Sequence, residues 1–444
     1  MSDQTKTNLS RRALLAGAAG AAIPGLLPNI ASGQAGGTVK LTAWSAAVDQ
    51  VKSHATAFEK GTGIKVAYEN FPWAQYRTSV VTRLVGNADM DVLWVSDAWL
   101  PEFAEAGWLG IAMPEQYGGA GLGTTEAALL MQTIAASGAA MSGASSIHMN
   151  IFGLNPVVVF GSDEQKQRWL PPLIAGKEKA CFAVTEPNAG LDTTHLQTKA
   201  VRDGDHYVVN GAKTWITNSL HGGCLALLVK TDPQAEPRHK GMSLFIAEKG
   251  PGFIVTRKLK KLGYRGIDTC ELQFDNYRVP ADRLIGGVEG RGLQQVLSGL
   301  ELGRINVAAR GLGVATASLH DAVAYAQQRK TFGKPICEHQ AIQLKLGEMG
   351  TKVEAARLLV EAAARAYDRG ERCDMEAGMA KYFATEAAMD NALECMRIHG
   401  AYGYSPEFDV ERYYRDAPLL LIGEGTNEMQ RMIIARQLIQ RHPA

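Results

Sequence analysis

The sequence predicts a mainly α-helical protein with an antiparallel β insert, preceded by a partial α/β lobe. Between about Cys181 and Gly286 the apolar spacing changes from a helical to a strand period and then back again. On the C-terminal side, long helical stretches joined by short connections describe an antiparallel bundle. At the other end, residues 38–106 alternate strand and helix signals in β-α-β-α-β order, the pattern of an α/β half-domain.

With 444 residues the chain is too long for one core, and about two to four domains are expected. Hydrophobic residues make up 46% and charged residues 20%, an ordinary globular balance. A net charge of +1 leaves no overall field, which argues against nucleic acid or an anionic membrane as partner. Cys181, Cys224, Cys270, Cys337, Cys373 and Cys395 are dispersed, with no CxxC pair and no His/Cys spacing suited to zinc. They read as buried or free thiols, and no metal site is expected. No apolar run reaches the length of a membrane span.

In chain order, residues 1–37 place Arg11-Arg12 before an Ala/Gly/Leu run that ends at Pro28 and the small residues Ala31–Gly37. This is a secretion signal of twin-arginine type. In residues 38–106, Val39–Trp44 alternates like a strand with one exposed face, and Ile64–Tyr68 follows the Gly61-Thr62-Gly63 turn. Met90–Ser96 is apolar enough for a buried parallel strand. Behind such a signal, the phrases Phe58–Val66 and Asp91-Val92 resemble the start of a periplasmic extracellular solute-binding protein. The pattern stops at Glu105–Leu109.

Residues 107–179 read as a helical domain. The cluster Gly118-Gly119-Ala120-Gly121 follows no buried strand, so it is a turn before a helix over Thr124–Ser137 rather than a phosphate loop. Ala/Ser/Met-rich helices continue to about Ile174, punctuated by Pro156 and Pro171-Pro172. Over 180–286 the strands expected are Phe182–Thr185, His206–Val209, Leu225–Val229, Met242–Ala247 and Thr269–Phe274, with Asn210-Gly211 marking a hairpin turn. Residues 287–444 hold one long helix from Gly292 to about Arg329, then helices over Glu338–Asp368, Met375–His399 and Asn427–Arg441.

Several stretches carry chemistry. The apolar run Leu419–Ile422 delivers Glu424 between Gly423 and Gly425, and Thr426 or Asn427 caps the helix beyond. A carboxylate behind an apolar run is expected to be partly desolvated, with a raised pKa that suits a general base. The alternative is a turn glutamate before an ordinary helix. Val184–Gly190 ends a strand in a donor-rich loop. Thr214–Asn218 sets Trp215 among hydroxyls, a plate for a planar ring or simply a core tryptophan. Arg329–Gly333 and Glu338-His339-Gln340 gather cations and amides at a helix junction, which suits a pyrophosphate or adenosine. Ordinary charge pairing at a helix C-terminus is the other reading there. Arg397–Tyr404 ends a helix in small residues that admit a flat or phosphorylated ligand.

Taken in order, Pro114-Glu115 with its glycine cluster, Val184–Pro187, Trp215–Asn218, Arg329–Gly333, Glu338–Gln340 and Gly423–Thr426 resemble the motifs of acyl-CoA dehydrogenases over residues 110–444. The resemblance implies that family's fold: an α-helical N-domain, here shortened at its start, an antiparallel β middle domain and a C-terminal four-helix bundle. It implies FAD, with Val184, Thr185, Gly190, Trp215, Ile216 and Thr217 at the flavin end. Arg329, Phe332, Gln340 and the Gly400 loop would meet the pyrophosphate and adenosine end, partly across a subunit boundary, and Arg397 and Thr426 are further cofactor positions. Glu424 matches the catalytic base, and Glu301 and Arg304 match positions facing CoA. Some relatives carry the base where Gly303 stands here.

The implied reaction is α,β-dehydrogenation of an acyl-CoA to a trans-2-enoyl-CoA, with an electron-transfer flavoprotein as acceptor and a homotetrameric or homodimeric assembly. Leu191, Arg397 and Ala401 depart from the family's usual residues. A fusion near Ala106–Leu109 is expected. The enzyme half implies the cytoplasm, while the signal implies the periplasm. The remaining readings are a periplasmic solute-binding fragment and a catalytically inactive dehydrogenase fusion.

Overall fold

The computed structural model describes residues 106–443, Gly138 apart, together with strands β1 (Thr38–Trp44), β2 (Lys65–Phe71) and β3 (Val92–Leu93) and scattered residues beside them. These strands make a parallel sheet in the order β2-β1-β3, with Thr38 opposite Lys65 and Leu41 opposite Val92. The parallel order follows from the strand–helix alternation in the sequence. The secretion signal expected over residues 1–37 lies outside the described residues, as do most of the segments joining these strands.

The glycine cluster forms the expected tight turn. Gly118 and Gly121 have φ of +92° and +61°, and a Cβ on Gly119 would meet the Met113 carbonyl oxygen at 2.1 Å. Helices α1 (Thr124–Ala135), α2 (Ala140–Gly153), α3 (Asn155–Phe160) and α4 (Asp163–Ile174) follow. The start of α1 is held by a distant carboxylate. Asp368 Oδ1 accepts the Thr124 N–H (2.6 Å), and Oδ2 accepts the Thr125 N–H (2.9 Å) and hydroxyl (2.6 Å). Pro171 and Pro172 lie inside the last turn of α4 rather than between helices. The helix ends just beyond them, where the Pro172 carbonyl accepts the N–H groups of Lys177 (2.9 Å) and Glu178 (3.1 Å).

Strands β4 (Ala180–Ala183), β5 (Lys199–Asp203), β6 (His206–Thr217), β7 (Cys224–Lys230), β8 (Met242–Glu248), β9 (Phe253–Lys258) and β10 (Thr269–Pro280) form one sheet. Its order is β4-β7-β5-β6-β10-β9, with β8 on β7. Two expectations need correction. The sheet is not wholly antiparallel, because β4 and β5 both run parallel to β7. β4 enters from α4 rather than through a hairpin, so nothing forces it antiparallel. Asn210-Gly211 is not a turn either. The chain reverses at Gly204, with φ +62°, and Gly211 lies within β6. A Cβ on Gly211 would come 2.6 Å from Thr198 Cα, so the glycine marks a close backbone approach.

Helix α5 (Gly292–Gln328) leads through a short hairpin, β11 (Lys330–Thr331) and β12 (Lys334–Pro335), to α6 (Gln340–Asp368), α7 (Asp374–His399), α8 (Val410–Ile422) and α9 (Asn427–Arg441). Helix α8 is longer than the apolar run that marked it, because Arg412, Arg415 and Pro418 interrupt its period. Helix α7 packs along α5 through small residues such as Ala309, Ala380 and Ala384, and Gly311 abuts the Ala384 carbonyl. Helices α1 and α2 share a core with α5, α6 and α7, which brings the N-terminal helices against the bundle. Among the described residues no helix is long and apolar enough to cross a membrane.

Candidate active site

Helices α2 and α5 converge with the α8–α9 turn on Glu424. Glu424 and Gly425 take φ of +56° and +89°, and Thr426 then caps α9 by accepting the Met429 N–H (3.4 Å). A glutamate in the left-handed region is strained and persists only where its surroundings hold it. Lys381 of α7 does so. Its buried ammonium donates to the carbonyls of Leu421 (3.2 Å) and Gly425 (2.9 Å) and to Asn427 Oδ1 (2.8 Å), straddling the turn. Burial pushes that ammonium down to about 8.

The Glu424 side chain is only 14% exposed. Its Oε1 accepts from His148 Nε2 on α2 (2.8 Å) and from Arg310 Nη2 on α5 (3.4 Å). Its Oε2 has no partner among the described residues. Gly303 abuts that oxygen, and a Cβ there would lie 2.1 Å from Oε2. The expected rise in pKa is corrected by this surrounding. Burial pushes the carboxyl up, but the charge and hydrogen bond of His148, with the Arg310 and Lys381 cations, outweigh it and hold Glu424 below the usual carboxylate range. Burial and the Arg310 cation lower His148, against the pull of the Glu424 carboxylate beside its Nε2.

A second constellation lies on the β domain. Opposite β10, β6 carries an extra residue between Lys213 and Ile216, and this bulge turns Trp215 outward with φ +61°. Trp215 is therefore not a core residue: it is 58% exposed beside a concavity of about 860 Å³. Thr185, Gly190, Thr214, Arg257, Lys258 and Lys260 line the same space. Lys213 anchors the facing loop from beneath, donating to Glu186 Oε1 (2.9 Å) and the Val184 carbonyl (3.0 Å). Burial lowers this lysine to about 8. Glu186 in turn accepts the N–H groups of Gln197 (2.6 Å) and Thr198 (3.0 Å). An aromatic plate rimmed by hydroxyls and cations fits a planar, anionic ligand.

The other sequence-derived positions are spread around these two places. Ile216 is buried in the β core and Thr217 ends β6 opposite Thr269. Arg329, Phe332, Gln340, Arg397 and Gly400 are exposed at one end of the bundle, with Phe332 (φ +50°) and Gly333 (φ +82°) at the tip of the β11–β12 hairpin. Arg397 pairs with Glu394 (2.6 Å). Arg304 is largely buried beside Glu301, Asp374 and Glu424, and its Nε has no partner. Sequence reasoning missed His148, Arg310, Lys381 and Lys213. The one available signal was a charged or ionisable residue within an otherwise small or apolar run, as in Met379-Ala380-Lys381.

Residues 80–177, 181–277 and 290–439 match the N-terminal, middle and C-terminal domain models of acyl-CoA dehydrogenase. An acyl-CoA dehydrogenase of Bacillus subtilis is 43% identical over 341 residues, covering 77% of this chain and 89% of that protein. The chain belongs to the acyl-CoA dehydrogenase family. The solved butyryl-CoA dehydrogenase of Megasphaera elsdenii superposes with a TM-score of 0.74 at 36% identity, over 82% of this chain and 93% of its own. An acyl-CoA dehydrogenase from Geobacillus kaustophilus gives 0.74 at 37% identity, over 78% and 90%. Residues 35–114 match the bacterial extracellular solute-binding protein model, so the chain also carries part of a second family.

FAD is the cofactor of this acyl-CoA dehydrogenase family, and the Trp215 concavity fits its ring end. The exposed face of Trp215, the hydroxyls of Thr185 and Thr214 and the open space over Gly190 are the groups present to receive it.

Proposed function

We propose that the protein dehydrogenates an acyl-CoA thioester between its α and β carbons, with Glu424 as the base for the α-proton. The observation that carries this is the Glu424 carboxyl group, nearly enclosed, with one oxygen fixed by His148 and Arg310 and the other without a partner among the described residues. The bound FAD supplies the acceptor for the β-hydride. The chain supplies the rest. Oε2 takes the α-proton as the α C–H bond breaks, and those electrons form the new double bond as the β-hydride leaves. Lys381 fixes the turn, so that the carboxylate is aligned before substrate arrives. The Glu424 backbone N–H is the donor assigned to the thioester carbonyl, where enolate-like charge develops.

Glu301 and Arg304 are assigned to the CoA side. Val184, Thr185, Gly190 and Trp215 to Thr217 are assigned to the flavin end. Arg329, Phe332, Gln340, Arg397, Gly400 and Thr426 are assigned to the remainder of the cofactor. An electron-transfer flavoprotein is the proposed electron acceptor.

The test is spectroscopic. Purified protein is expected to be yellow, and short acyl-CoA thioesters, methyl-ended or carboxylate-ended, should bleach it anaerobically. Glu424→Gln should stay yellow and fail to bleach. Bleaching at the wild-type rate in Glu424→Gln would remove the base from this position, and colourless, folded protein would remove the flavin.

A further inference from the structure

Arg310 sits in the interior with less protein around its charge than it needs. The residue is 4% exposed, its Nη1 donates to Ser145 Oγ (2.6 Å), and its Nη2 reaches Glu424 Oε1 (3.4 Å). Its Nε has no partner, and neither has His148 Nδ1. The buried Tyr264 phenol lies beside both Arg310 and Ser145. Among the described residues Glu424 is the only carboxylate within ion-pair reach of this guanidinium. The other cations near the base are differently placed. Arg304 also faces Glu301 and Asp374, and Lys381 also faces Glu386 and Glu428.

The proposed reaction removes that single counter-charge. Once Glu424 holds the α-proton it is neutral, and Arg310 is left as a buried cation with no anion, which is strongly unfavourable. A purely aliphatic tail against this cluster would also leave Arg310 Nε and His148 Nδ1 dry and unpaired. A site built of hydrogen-bonding groups discriminates most strongly against the analogue that lacks the matching group.

Resting on the proposed acyl-CoA reading, we infer that Arg310, with Ser145 and Tyr264, is the specificity determinant for the far end of the acyl chain, and that this end is a carboxylate. The Arg310–Glu424 contact sets the scale: the group that meets Arg310 lies only a few bonds beyond the carbon that meets Glu424, so the acyl group is a short dicarboxylic one.

Titration calorimetry of the full-length flavoprotein with the non-reacting thioether analogues of glutaryl-CoA and pentanoyl-CoA tests this without turnover. The wild type is expected to bind the carboxylate-ended thioether about tenfold to a hundredfold more tightly. Arg310→Gln should bring the two to near parity, and Arg310→Lys should keep part of the preference. Equal or tighter binding of the methyl-ended thioether by the wild type overturns the inference and leaves the acyl-CoA reading standing. A preference that survives in Arg310→Gln does the same. Binding of neither thioether overturns both.

Discussion

At the scale of single residues, Glu424, the proposed base, is pushed up by burial and held down by His148, Arg310 and Lys381. Because Glu424 is held below the usual carboxylate range, its acid limb in kcat/KM is expected below the ordinary glutamate value of about 4.3. Lys381→Met removes one cation and two carbonyl contacts from the turn. A carboxylate that loses a cation binds its proton more readily, so the limb should move to higher pH while kcat falls. A limb that stays put with unchanged kcat would mean that Lys381 only fills space. Gly303→Ala drives a methyl group to within 2.1 Å of Oε2, so activity should drop at least about a hundredfold, the scale of a misplaced reacting group. Flavin absorbance should stay unchanged. Glu424 itself was legible in the sequence because glycines and an apolar run frame it. Its partners were not, since His148, Arg310 and Lys381 come from three helices and meet only in the fold.

At the scale of elements, periodicity found the long helices and most strands, because one apolar face repeats along each of them. It failed where the cause was non-local. Gly211 resembles a turn glycine, yet Thr198 on a neighbouring segment is what excludes a side chain there. Trp215 is turned out by a bulge whose register depends on β10. The α1 start is non-local in the same way, since its first N–H groups are satisfied by Asp368. Burial pushes the Asp368 carboxyl up, but its bonds to Thr125 and Thr124 outweigh this and lower it. Its contribution is therefore full above the unfolded carboxylate value and is lost as pH falls through the lower, folded one. Asp368→Asn should cost about 1 kcal/mol in chemical denaturation at neutral pH, with a smaller difference in acid. An identical loss at both pH values would show that charge is not involved.

At the scale of the whole molecule, the bundle exposes large apolar side chains that a monomer has no use for. Phe332 is 96% exposed and Ile439 72%, with Leu344, Leu358 and Met432 also open. The homodimer or homotetramer that the family resemblance implies would cover such side chains, and light scattering should then give a multiple of the chain mass. Ile439→Glu with Met432→Glu should lower that multiple, and an unchanged mass would assign the contact elsewhere. The two family matches overlap over residues 80–114, a stretch that contains β3 and ends before α1. Composition hinted at that change of protein type, but only the ordered motifs downstream said which family it became.

The carboxylate that holds the start of α1 lies 244 residues further along the chain. During translation the first helix of this domain therefore leaves the ribosome long before its cap is made. Until α6 is complete, α1 lacks that cap, and a pause in synthesis between the two should expose the nascent chain to proteolysis there first.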